Sequence, residues 1–198
     1  MIDQIIAWDK ALFIHIHNGL ASPYLDTFML FIREAKTWIP LYLLFAFLAI
    51  KKYKLNGLYF ILLTAVVVIL SDRFSAGFMK PFFERLRPCH NPEFLAEGFI
   101  RNLLNCGGLY GFISSHATNH FGLAVLFTWF FKQIQSHSFT NWVFYLWAGL
   151  ISFAQVYVGK HYPADVLVGA IFGILIGFLI LKIYIRFLPV DKQITKVH

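Results

Sequence analysis

Apolar runs at 38–50, 58–79, 118–131, 139–158 and 166–188 constrain this chain more than any other feature, because a soluble core has no room for so many long hydrophobic segments. A helix needs about 20 residues to cross the hydrocarbon of a bilayer, and shorter runs are completed at the interface by flanking aromatic residues and lysines. Composition agrees: 59% of the 198 residues are hydrophobic, 19% aromatic and only 14% charged, which argues against a soluble domain. We expect a single integral membrane domain over residues 1–198, all-α, built as a polytopic helical bundle. Residues 1–34 are harder to place. Ile5, Leu12, Phe13 and Ile16 fall near one helical face, which suggests an interfacial amphipathic helix, while 24–32 is apolar but short; the pattern leaves a further crossing here open. No cleavable signal peptide is evident, since Asp3, Asp9, Lys10, His15 and His17 interrupt the first 20 residues.

Charge suggests an orientation. Lysine and arginine number 17 against 10 acidic residues, a net charge of +7, and no basic stripe with an aromatic platform lies on a polar element, so nucleic acid is not the expected partner. Lys51, Lys52 and Lys54, then Lys132, then Lys182, Arg186, Lys192 and Lys196 share one face by span counting, and the positive-inside rule makes it cytoplasmic. The opposite face carries an outer loop at 80–115 and the stretch 159–162. That loop is itself basic, with Lys80, Arg85, Arg87 and Arg101, and Lys160 lies nearby; an anion-binding site would account for this exception. Cys89 and Cys106 both fall in the loop. On an oxidising side they can pair and brace it by about 3 kcal/mol of unfolded-state entropy; the alternative is two unpaired thiols.

Three clusters sit at helix ends on that face: KPFFERLRP at 80–88, ISSH at 113–116 and HYPAD at 161–165. Helix starts bind anions through free N–H groups and the helix dipole. Ser114 and Ser115 are natural N-cap residues for the next span, and Pro163 suits a first helical turn with His161 just before it. Lys80 closes the 58–79 run, where Pro81 is expected to stop the helix, and Arg87 offers a planar fork for phosphate oxygens. Taken singly, each is a polar cap or an interfacial anchor. Together they fit phosphoryl transfer without metal: His161 attacks, Asp165 one turn on fixes its tautomer, and His116 protonates the leaving oxygen. Asp72 and Arg73 are expected inside the bundle, with Arg73 near the Lys80 face and about 10 Å deeper; an ion pair is the other reading of Arg73. His116 and His120 have metal-ligand spacing, but no third or fourth ligand is obvious and no metal is expected. Asp165, Gly169, Gly173 and Gly177 form a stripe for close helix packing.

These residues resemble the type 2 phosphatidic acid phosphatase superfamily of membrane lipid phosphatases, related in core fold to vanadium haloperoxidases. Its first motif, Lys, six residues, Arg-Pro, is met by Lys80, Arg87 and Pro88. Its Pro-Ser-Gly-His is met at Ser114 and His116, with Ile113 and Ser115 in the Pro and Gly positions. Its third, Ser-Arg, five residues, His, three residues, Asp, is met at His161 and Asp165 but reads Ala154-Gln155 where Ser-Arg is expected. The resemblance runs over 58–181 and implies six transmembrane helices, a phosphohistidine at His161, proton donation by His116, phosphate binding by Lys80, Arg87, Ser114 and Ser115, and no metal or other cofactor. Gln155 removes a full positive charge, although an amide still donates a hydrogen bond. Arg85, Lys160 or Arg73 would have to compensate, the substrate range would differ, or the chain would be a weakened lipid-binding relative. The expected substrate is a lipid phosphomonoester or diphosphate in the bilayer of a bacterial inner or plasma membrane, with the site facing outward. Undecaprenyl diphosphate ranks first, ahead of phosphatidylglycerol phosphate, phosphatidic acid and lipid A phosphates. A phosphotransferase is the alternative. The sequence does not reveal oligomeric state.

Overall fold

The computed structural model describes residues 1–134 and 140–187, so Lys192 and Lys196, the end of the 166–188 run and the first residue of the 139–158 run lie outside the described residues. Within them the architecture is helical: α1 Ile2–Ile14, α2 Pro23–Arg33, α3 Ile39–Tyr53, α4 Leu55–Asp72, α5 Lys80–Phe83, α6 Pro92–Ala96, α7 Ser115–Ile134, α8 Thr140–Tyr157 and α9 Pro163–Phe187. A π-helical stretch, Arg73–Met79, joins α4 to α5. The segments Leu55–Phe83 and Pro163–Arg186 are long and apolar enough to cross a membrane unaided, and Trp142–Tyr157 is a shorter apolar helix. Six crossings do not emerge by that measure. α3 has only 15 residues, and α7 opens on the polar Ser115, His116, Thr118, Asn119 and His120.

The bundle is apolar on its outside. Leu62 is 54% exposed on α4, and Leu167, Leu175 and Phe178 are 66%, 57% and 55% exposed on α9; such a surface suits lipid and is uncommon on a soluble monomer. Inside, Phe60, Phe127, Phe130 and Phe144 form a core cluster with Phe45 packed edge-on.

The helices α7 and α9 touch along the glycine stripe. A Cβ on Gly169 would lie 2.8 Å from the Ser114 carbonyl oxygen, one on Gly173 2.3 Å from that of Thr118, and one on Gly177 2.8 Å from that of Gly122. Real side chains never tolerate such distances, so glycine is required for this approach, and the approach brings the starts of both helices together.

At the N-terminus the expected single face is split. Phe13 is fully buried and stacks on His17 and Phe94, whereas Ile5 and Leu12 remain exposed. The buried face of α1 instead contains Asp9. α2 starts at a Ser22 cap that accepts from the Leu25 N–H at 3.2 Å, with Pro23 in its first turn. Its Met29 and Ile32 pack on Ala154, Tyr157 and Val158 of α8.

Two expectations about the end of α4 need correction. Pro81 does not stop the helix, which runs on to Phe83 and ends at Glu84 in the left-handed conformation, φ 46°. The π-helical stretch before Lys80 loosens the ladder, so the missing Pro81 N–H breaks no regular turn. Asp72 and Arg73 are exposed rather than interior, because the same stretch changes the seven-residue phase between Arg73 and Lys80.

Candidate active site

Local backbone structure presents His161. Gly159, at φ +86°, lets α8 end in a tight turn in which the Gly159 N–H donates to the Val156 carbonyl at 3.0 Å and the Lys160 and His161 N–H groups donate to the Gln155 carbonyl at 3.0 and 3.2 Å. This is a Schellman-type ending, and it needs a residue at ease in the left-handed region. Pro163 then starts α9, so His161 is held between two helix ends.

The loop 84–114 wraps back to the same point. Arg87 N–H donates to the Leu109 carbonyl at 3.0 Å and Gly111 N–H to the Arg85 carbonyl at 2.8 Å, a short antiparallel pairing centred on Leu86 and Tyr110. A disulfide joins Cys89 to Cys106 with Cα atoms 6.1 Å apart. Arg101 anchors the loop to α2 through Asp26 at 2.6 Å.

Around His161 the contacts assign its tautomer. Arg87 Nη1 lies 3.2 Å from His161 Nε2, and a guanidinium can only donate, so Nε2 offers its lone pair and the proton sits on Nδ1. Nδ1 is 3.5 Å from Asp165 Oδ2, at the outer limit of a hydrogen bond, and is otherwise unpartnered among the described residues. Burial pushes the His161 pKa down to about 4, Asp165 opposing it and Arg87 and Lys80 reinforcing it. The imidazole is therefore neutral near pH 7, as a nitrogen nucleophile requires.

Asp165 is fully buried and committed on every side. Its Oδ2 accepts the Tyr162 N–H at 3.0 Å, its Oδ1 accepts Arg85 Nη1 at 2.6 Å, and its carbonyl accepts the Ser114 N–H at 3.0 Å. Gly111 makes room for it, since a Cβ there would meet Asp165 Oδ2 at 3.1 Å. Arg85 also reaches Asp9 on α1 at 2.5 Å and lies over the Tyr162 ring at 4.2 Å. Burial alone would lower the Arg85 pKa, but Asp165 and Asp9 outweigh it and raise it. Asp9 also accepts the Ala164 N–H at 2.8 Å and so caps the first turn of α9. Arg85, a sequence candidate for compensating Gln155, is thus occupied in holding Asp165.

Lys80 donates to the Ser115 hydroxyl at 2.8 Å, and Ser75 donates to the same oxygen at 2.8 Å. Ser114 Oγ is 3.5 Å from the Ala117 N–H in N-cap position. His116 follows on the first turn of α7. His120, one turn deeper, turns Nδ1 to the His116 carbonyl at 2.7 Å and has Nε2 3.4 Å from the Tyr42 hydroxyl; no cluster of three metal-type ligands occurs among the described residues. Lys160 has its ammonium 3.6 Å from where a Cβ on Gly107 would sit, and burial, then Arg33 and Arg87, lower its pKa to about 8. Gln155 is fully buried, and neither its amide nitrogen nor its oxygen has a hydrogen-bond partner among the described residues. Arg73, the remaining candidate to replace the motif arginine, lies on the exposed side of its helix.

The structure therefore gathers Lys80, Arg87, Ser114, Ser115, His116, His161 and Asp165 around the adjoining starts of α7 and α9. Sequence reading missed Asp9, for which an ionisable residue on a largely apolar helix was the available signal. Below the site an apolar groove of about 570 Å³ runs between α3, α4 and α7, lined by Phe45, Phe60, Val68 and Leu123, with His120 and Asn119 among its few polar residues.

Residues 56–188 match the profile of the PAP2 superfamily, and the chain belongs to that family. It is 32% identical over 186 residues to a lipid A 4'-phosphatase of Porphyromonas gingivalis, covering 93% of this chain and 76% of that one. It is also 32% identical over 164 residues to a lipid A 4'-phosphatase of Bacteroides thetaiotaomicron, covering 82% and 71%. In fold it is similar to the PAP2-type phosphatidylglycerolphosphate phosphatase of Bacillus subtilis, with TM-score 0.71, 20% identity and coverage of 93% and 88%. Aquifex aeolicus LpxE is similar at TM-score 0.64 and 21% identity, over 85% of this chain and 92% of that one.

Proposed function

We propose that this protein hydrolyses a phosphomonoester on a membrane lipid headgroup, with the activity named for its two relatives, removal of the lipid A 4'-phosphate, as the leading substrate assignment. That moves lipid A ahead of undecaprenyl diphosphate, which the family resemblance and the topology had placed first. The observation that carries the mechanism is Arg87 donating toward His161 Nε2, which leaves that lone pair aimed at the place where phosphate oxygens would meet the guanidinium.

In the first step His161 Nε2 bonds to phosphorus and the bond from phosphorus to the lipid oxygen breaks; His116, whose pKa burial and then His120 and His161 hold well below the usual histidine range, must take up a proton as the substrate dianion enters, and gives it to that oxygen. In the second, water attacks the phosphohistidine, His116 takes the water proton, and the nitrogen–phosphorus bond breaks to release inorganic phosphate. Lys80, Arg87 and the N-termini of α7 and α9 stabilise the charge on the transferring group, and Asp165 steadies the imidazolium side of His161. A lipid chain fits the groove between α3, α4 and α7, beside the first turn of α7. The site faces outward, where Cys89 and Cys106 pair stably.

The test is inorganic phosphate release by the purified protein in detergent from lipid A, undecaprenyl diphosphate, phosphatidylglycerol phosphate and phosphatidic acid, with and without chelator. Turnover highest on lipid A is expected. A preference for undecaprenyl diphosphate would reverse the substrate assignment, and a phosphorylated acceptor in place of free phosphate would make the protein a transferase.

A further inference from the structure

Arg33 is the last residue of α2, and no carboxylate among the described residues forms an ion pair with it. The helix end is firmly fixed. The Phe31 carbonyl accepts the Glu34 N–H at 3.3 Å and the Thr37 hydroxyl at 2.7 Å, and the Ile32 carbonyl accepts the Trp38 indole N–H at 2.7 Å. Met29 and Ile32 pack on Ala154, Tyr157 and Val158. The last turn of α2 thus lies against the part of α8 that flanks Gln155 and leads into Lys160 and His161. Arg33 Nε is enclosed without a hydrogen-bond partner, and Arg33 makes no ion pair among the described residues.

The groups that feel its charge are mostly other cations. The Arg33 charge acts on Arg87, Lys160 and His116, and the carboxylate that acts on Arg33 and Lys160 is Glu34, which is exposed to solvent. Asp165, Asp9 and Asp26 are already engaged by Arg85 or Arg101. Partly buried like charges that act on one another repel, and a bound dianion turns that repulsion into affinity.

We infer that Arg33 is a phosphate-binding residue, its guanidinium joining Arg87 and Lys160 on the non-bridging oxygens of the substrate phosphate. The inference rests on the lipid-phosphatase reading only for what the phosphate is attached to. It also gives a reason for Gln155. With Arg33 entering from α2, a second guanidinium from α8 would bury another unpaired charge at the same place, and a neutral side chain avoids that cost.

The test is binding of inorganic phosphate to the purified full-length protein by titration calorimetry, with thermal unfolding on the same samples. Arg33→Gln and Arg33→Met both remove the charge, so either one that folds suffices. Loss of a charge-assisted contact should weaken phosphate binding about 10- to 100-fold while the unfolding temperature changes little. Arg33→Lys should fall between, and Glu34→Gln should not weaken binding. Gln155→Arg in the Arg33→Gln background should recover part of the loss by returning the charge to α8. Wild-type phosphate affinity in the folded neutral variants, with or without a lowered unfolding temperature, overturns the inference even if the wild-type protein hydrolyses lipid phosphates. Weakened phosphate binding in a protein that turns over no lipid phosphate would instead sustain Arg33 as the anion ligand and sink the phosphatase reading.

Discussion

Asp9 offers the most direct test of how the site is held, because it never touches the reacting atoms yet bonds to two groups that fix Asp165. It is 8% exposed, accepts Arg85 at 2.5 Å and caps Ala164 at 2.8 Å. Asp9→Ala removes both contacts. The bond to Arg85 falls at the low end of the range for charged hydrogen bonds, about 1.5 kcal/mol, since Arg85 keeps Asp165 and is 27% exposed; the cap adds about 1 kcal/mol. Their sum, about 2.5 kcal/mol, corresponds to a fall of roughly 5–10 °C in unfolding temperature for a chain of this size. Asp9→Asn keeps an oxygen for Ala164 and loses the charge, so about half that fall is expected. Freed from Asp9, Arg85 can draw Asp165 away from His161; a misalignment worth about 1.4 kcal/mol in the transition state lowers kcat about tenfold. Affinity for inorganic phosphate should stay unchanged, because Asp9 holds no phosphate. Thermal unfolding in detergent and steady-state phosphate release measure the two effects. Wild-type unfolding and kcat in Asp9→Ala would show that the Asp9–Arg85–Asp165 chain does not position the site.

His161→Ala, His116→Ala and Asp165→Asn should each lower kcat by about 10²-fold or more in a folded protein, with His161→Ala the most severe, and near wild-type turnover in that variant would refute the mechanism. Lys160, at a pKa of about 8, loses its charge as pH rises through that value, so KM should climb above pH 8; Lys160→Arg stays protonated and should flatten that limb, which a pH series on both proteins checks. Replacing Cys89 and Cys106 by serine opens a loop of sequence separation 17 and should cost about 3 kcal/mol, read as a drop in unfolding temperature that reductant reproduces in the wild-type protein and not in the variant.

The motif residues were legible because their chemistry is local: a cation before a proline, serines where a helix begins, a histidine and an aspartate one turn apart. The glycine stripe was legible for a similar reason, since a four-residue spacing of small residues has one efficient use in a bundle, and α7 meets α9 along it. Pro81 misled because residue type does not announce a π-helical stretch; that stretch accommodates the proline and changes the phase between Arg73 and Lys80. Six crossings were what the family resemblance implied, whereas apolar length gave five runs; of these α3 is short and α7 starts with the polar residues gathered at the site.

What the sequence could not supply was long-range pairing. Arg85 reads as a free cation in a basic loop, and only contact with residues 76 and 80 positions away, Asp9 and Asp165, shows that it is spent on structure. With Arg85 occupied and Arg73 facing outward, Arg33 and Lys160, both without an ion pair among the described residues, are the candidates to supply the charge missing at Gln155. Asp9 and Arg33 precede the segment 56–188 that defines the family. Asp9 holds the Arg85 that pairs with Asp165, and Arg33, on the inference above, brings a guanidinium to the phosphate, so on that reading α1 and α2 contribute to a centre whose motifs all lie later in the chain.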